Sequence, residues 1–82
     1  MSQKKKLLKK FLERPATLRY SQVAHVLLYL GFEHSQGKGS HQKFNHPKID
    51  QEIVFPVHGN DCPTYYKVEI SNIIKSSNII SP

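Results

Sequence analysis

Gly37-Lys38-Gly39-Ser40-His41 is the stretch on which the fold of this chain turns. Two glycines bracket a lysine, and the run ends in a histidine. Glycine tolerates φ > 0 and lets another backbone or a ligand come close. Between two β-prone segments, such a run marks a tight turn and makes the middle of the chain antiparallel sheet. The same residues carry chemistry. Lys38 offers a cation and Ser40 a hydroxyl, while the imidazole of His41 can both take and give a proton. A cationic, backbone-accessible turn that ends in histidine suits a phosphodiester. A plain hairpin turn with a surface histidine is the alternative.

Outward from the turn, residues 32–36 read as a first strand and 40–46 as a second, with Phe44 as its core residue. His46-Pro47-Lys48-Ile49-Asp50 reads as a turn. Residues 52–57 form the most hydrophobic strand, Ile53, Val54, Phe55 and Val57. Pro56 makes it an edge strand or a strand end. A shared core face for Phe44 and Phe55 sets Phe44 opposite Phe55, His41 opposite His58 and Lys43 opposite Pro56. A one-residue slip would send the two histidines to opposite faces.

Helices flank these strands. Leu7, Leu8, Phe11 and Leu12 share one stripe of a helix over 2–13, with Ser2 as its cap and Pro15 as its stop. Lys4, Lys5, Lys6, Lys9 and Lys10 cover the rest, either tracking phosphates or simply solvated; membrane-surface binding is a third reading, disfavoured by a short helix without an aromatic belt. Residues 15–20 are a connector. Val23, Val26, Leu27 and Leu30 follow i, i+3, i+4, i+7 in a second helix over 21–30. Ser21 is its candidate N-cap, and Gly31 stands where a C′ glycine belongs. Residues 58–63 are a loop. A last helix from Thr64 to about Ser76 carries Tyr66, Ile70, Ile73 and Ile74, although Tyr66, Val68 and Ile70 also alternate as in a strand. The expected division is a basic helix and connector over 1–16, a main domain over 17–76, and a tail over 77–82.

Composition bounds the function. The 82 residues have room for one small domain, and Cys62 is the only cysteine. That excludes an intramolecular disulfide and a cysteine-based zinc site, and fits a reducing cytoplasm. No apolar run approaches a membrane span, and the basic start lacks the apolar stretch of a signal peptide. The net charge of +6 is unevenly placed: residues 1–48 carry ten Lys or Arg and two acids, the remainder two Lys and four acids. Such asymmetry points to a polyanionic partner.

Taken together, Leu30-Gly31-Phe32, Gly37-Lys38-Gly39-Ser40-His41, Phe44, His46-Pro47 and Phe55-Pro56-Val57-His58-Gly59-Asn60 resemble the HicA family of toxin ribonucleases. The resemblance covers roughly residues 17–76. It implies an α+β fold like a double-stranded-RNA-binding domain, with helices on one face of a three-stranded antiparallel sheet in the order α-α-β-β-β-α. It also implies cleavage of messenger RNA in the cytoplasm, and silencing by a HicB-type antitoxin. The family's catalytic histidine carries over to His41.

The chemistry so implied needs no cofactor and no metal, because RNA carries its own nucleophile, the 2′-hydroxyl. His41 would be the general base. Lys38, Gly39, Ser40 and Lys43 would bind the phosphate, and His58 is the candidate proton donor. Two other classes remain at this point. One is an RNA-binding module without turnover. The other is a metal site from His34, His41, His46 and His58, which lacks the spacing of a helical zinc motif.

Overall fold

Apolar residues recurring at helical spacing shape the first third of the chain. The computed structural model describes residues 3–79. Its first helix, α1 (Gln3–Glu13), buries Leu8 and Phe11 and lays Leu7 and Leu12 against the same core. Ser2, the expected cap, lies outside the described residues. A 3₁₀ turn (Pro15–Thr17) follows where an irregular connector was expected, and Leu18 behind it is buried.

In α2 (Tyr20–Tyr29), Val23, Val26 and Leu27 point inward. This helix ends in a Schellman motif: the Phe32 N–H donates to the Leu27 carbonyl, and the Gly31 N–H to that of Leu28. Its start corrects the expected Ser21 cap. Arg19 is the cap residue, and its N–H donates to Gln22 Oε1 at 2.9 Å. The next two amides are both satisfied by one distant residue, Asn60. The Tyr20 N–H donates to the Asn60 carbonyl at 3.2 Å, and the Ser21 N–H to Asn60 Oδ1 at 2.9 Å.

The sheet has the order β1 (Glu33–Gln36), β2 (His41–His46), β3 (Ile49–Pro56), antiparallel throughout. The fold class is therefore α+β, in the order α-α-β-β-β-α. β3 is an edge strand and Pro56 is its last residue, so the missing N–H breaks no central ladder. The 46–50 turn is shorter than expected, because Ile49 already pairs with His46.

The register between β2 and β3 also differs from expectation. Phe44 opposes Ile53, Gln42 opposes Phe55, and His41 opposes Pro56. Phe44 and Phe55 still share the core, but as diagonal neighbours. Their rings stack with centroids 5.8 Å apart. Since the offset is two residues, side-chain parity is unchanged. His41 and Lys43 remain on the face opposite Phe44.

The last helix, α3 (Thr64–Ser77), excludes the alternative of a strand. Pro63 holds the cap position, and no side chain caps the helix. Ile70 and Ile74 are buried as the periodicity requires. Lys67 is buried too, with 5% exposure. Its Nζ donates to the Ala16 carbonyl at 3.5 Å and faces Asp61 at 3.8 Å, so the buried charge is partnered.

Asn60→Ala removes the acceptor for the Ser21 amide. It is expected to lower stability by roughly 1 kcal/mol, read as a fall in the urea midpoint. An unchanged midpoint would show that Asn60 does not hold α2.

Candidate active site

Between β1 and β2 the chain reverses through residues 37–40, and two glycines make this possible for different reasons. At Gly37 the constraint is space. A Cβ there would lie 2.9 Å from the His41 carbonyl oxygen and 3.1 Å from its Cβ. The Gly37 N–H donates to that same oxygen at 3.0 Å. At Gly39 the constraint is conformation. Its φ is +61°, and nothing surrounds the missing Cβ. Gly39 follows Lys38, whose φ is negative, and such alternation builds the amide concavities that bind anions. Among the described residues, no acceptor takes the N–H groups of Lys38, Gly39 or Ser40.

His41 is exposed at the end of this turn and bound to it twice. Its backbone N–H donates to the Lys38 carbonyl at 3.1 Å, and its ring Nδ1 lies 3.0 Å from the same oxygen. A carbonyl can only accept, so Nδ1 carries the proton in that bond. Neutral His41 is thereby held as one tautomer, with the lone pair on Nε2, and Nε2 has no partner among the described residues. A base whose second nitrogen is anchored is oriented before any substrate arrives.

The remaining expected site residues are placed less uniformly. Ser40 and Lys43 are half-buried, and Lys38 is exposed. Lys43 opposes Val54 rather than Pro56, on the same face as His41. His58 does not oppose His41. The Val57 N–H donates to the Ser40 carbonyl at 2.9 Å, one residue past the end of β3 at Pro56. His58 itself opens a tight turn, bridged both ways to Asp61, with Gly59 at φ +64°.

The family model described as HicA toxin of bacterial toxin-antitoxin matches residues 20–79 of the 82. The chain belongs to the HicA toxin family. No curated protein and no solved structure matches it. Membership makes the chain the toxin of a toxin–antitoxin pair, with a cognate antitoxin as its partner. None of its described helices is long and apolar enough to cross a membrane.

Within this HicA-family chain, several supporting residues escaped the sequence reading. Gln36 Nε2 donates to the carbonyls of Gly37, Gly39 and His41 at 3.4, 3.2 and 3.2 Å. Gln42 Nε2 donates to Gln36 Oε1, and His34 Nε2 donates to Gln42 Oε1. Every amide orientation in this relay follows from the carbonyls at its end. Glutamines in β-strands carry no sequence signal for such a role.

His46 is structural. Its Nε2 donates to the Leu30 carbonyl at 3.0 Å, Nδ1 accepts the Lys48 N–H at 3.0 Å, and its ring packs edge-on to Phe32. Among the described residues, no three His, Cys, Asp or Glu side chains are grouped to hold a metal ion. Cys62 is buried, and burial pushes its thiol pKa up against the lowering effect of Lys67. A thiol so placed is a poor nucleophile.

Two consequences can be measured. Gly37→Ala is expected to displace the His41 ring resonances, because its Cβ meets backbone. Gly39→Ala is expected to cost about 1–2 kcal/mol through backbone strain alone, with smaller ring shifts. Equal, small shifts in both variants would contradict the two separate constraints. Alkylation of Cys62 is expected only after unfolding. Its raised folded pKa contributes stability below the unfolded pKa that is lost as pH rises through the folded one. Rapid labelling of the native protein at neutral pH would contradict this placement.

Proposed function

We propose that this toxin is a metal-independent endoribonuclease acting on messenger RNA. The observation that carries the reading is the Nδ1 anchor of His41, which leaves Nε2 bare and exposed beside three unpaired amides. In the proposed step, Nε2 takes the proton of a 2′-hydroxyl. The freed oxygen attacks the adjacent phosphorus, the bond to the 5′-oxygen breaks, and that oxygen takes a proton. The products are a 2′,3′-cyclic phosphate and a 5′-hydroxyl. A positioned general base contributes about 10²–10⁴-fold in rate.

The amides of Lys38, Gly39 and Ser40 suit the charge that builds on the non-bridging oxygens, since donors fixed in advance need no reorganisation. The Lys38 and Lys43 ammonium groups add attraction for phosphate. His58 is the candidate donor to the leaving oxygen, two residues along the chain from Pro56, which opposes His41. The unit over 17–76 carries this chemistry in the cytoplasm.

The same face is the surface we assign to a HicB-type antitoxin. The excess positive charge of the first 48 residues favours an acidic partner surface and a fast, salt-sensitive association. A partner that covers Nε2 of His41 inhibits by occlusion.

Purified toxin is expected to cleave single-stranded RNA in chelator and to leave DNA intact, since DNA lacks the 2′-hydroxyl. His41→Ala is expected to abolish cleavage, to change stability by no more than about 0.5 kcal/mol because the side chain is exposed, and to leave RNA affinity nearly unchanged. RNA binding by the parent without turnover would make the protein a binding module. Cleavage by a well-folded His41→Ala variant at the parent rate would remove His41 from the chemistry.

A further inference from the structure

We infer that α1 is a second, non-catalytic docking surface that tracks the phosphate backbone of a bound RNA strand. The helix lies outside the residues matched to the family, yet it is fixed in the fold through Leu8 and Phe11. Its outer face holds a groove of about 550 Å³ lined by Lys6, Lys9, Lys10, Glu13 and Arg14. Four cations and one acid share this groove. Among the described residues none of the four cations makes an ion pair.

The arrangement opposes helix stability. Lys6 and Lys10 are like charges at i, i+4, which repel, and Arg14 adds a further cation just past the helix end. The first turn has no acid to offset the positive end of the helix dipole. An anionic strand along these side chains relieves the repulsion between them.

The geometry favours a linear polyanion. Lys6, Lys9 and Lys10 follow one stripe, i, i+3, i+4, and Arg14 stands one residue past the end of the helix, so that the four span about 12 Å along its axis. A strand stacked as in a duplex advances about 3.4 Å per phosphate along its axis and places about three or four charges over that length. A bilayer is a poor fit. A helix that lies on a membrane inserts its apolar face, and the apolar face of α1 is spent on the core, where Phe11 is fully buried. The groove is formed from a helix that packs on α2, the 3₁₀ turn and α3, whereas His41 projects from the sheet face opposite Phe44. The docking surface and the active site are therefore separate in the fold. The inference rests on the preceding reading for the identity of the ligand as RNA, but not for turnover.

The test uses the full chain and a 2′-O-methyl RNA of about 20 nucleotides, which cannot be cleaved, with binding measured by anisotropy between about 50 and 200 mM salt. The variant Lys6→Gln/Lys9→Gln/Lys10→Gln/Arg14→Gln is expected to flatten the slope of log K against log salt by about 2–3, and to weaken binding at least about tenfold near 0.1 M. The charge-preserving variant Lys6→Arg/Lys9→Arg/Lys10→Arg is expected to keep the parent slope. Circular dichroism confirms that both variants keep their helices. A glutamine variant with parent slope and affinity would overturn the inference, as would an arginine variant that loses binding as the glutamine variant does. Loss of binding to phosphatidylserine vesicles with RNA binding intact would assign the groove to a membrane, and loss of antitoxin binding alone would assign it to a protein. Because the probe is inert, these outcomes do not depend on whether the toxin cleaves RNA.

Discussion

One carbonyl oxygen, that of Lys38, accepts two hydrogen bonds from His41, one from its backbone at 3.1 Å and one from its ring at 3.0 Å. The backbone bond closes the turn, and the ring bond selects the tautomer. Both require the chain to reverse tightly enough to aim a carbonyl back at the residue that follows it. Gly37 permits the reversal by lacking a Cβ, and Gly39 by occupying φ +61°. Gln36 then ties three of the turn's carbonyls to one amide. The proposed chemistry of His41 is thus a consequence of backbone geometry, with one side chain held by another residue's main chain.

A chain this small must hold such a turn without a deep core beneath it. Covalently distant segments supply the support. The Val57–Ser40 bond fastens the end of β3 to the turn, and Asn60, a few residues on, fastens the same loop to the first turn of α2. Asp61 reaches Lys67 on α3. The loop over 57–61 therefore joins the sheet, α2 and α3 at one place. Polar bonds do there what apolar packing does between Phe44 and Phe55.

Much of this architecture is legible in the sequence because it is local. The stripes of α1 and α2, the Gly31 terminus and the glycine turn each depend on residues close together in the chain. Other features are not local, and their sequence signals mislead. That Phe44 and Phe55 must both be buried suggests a direct pair, but large rings also meet across a diagonal, and the partner of Phe44 is Ile53. The error of two residues preserved which face His41 occupies, yet displaced His58. Ser21 has the chemistry of a cap, but Asn60 arrives from the far side of the sheet to do that work. Lys67 looks like a surface lysine, since nothing in its neighbours reveals that the carbonyl of Ala16 will sit above it. The role of His58 and the use of the three turn amides are site questions that pattern alone leaves as proposals.

The account stands on which nitrogen of His41 bears the proton. Long-range proton–nitrogen correlation spectra of the ¹⁵N-histidine-labelled toxin read this directly, in the neutral form of the ring. The account expects Nδ1 protonated and Nε2 bare, with Gly37→Ala shifting His41 toward the tautomer mixture of a free imidazole. A parent protein in which His41 carries its proton on Nε2, or averages between the two nitrogens, would contradict it.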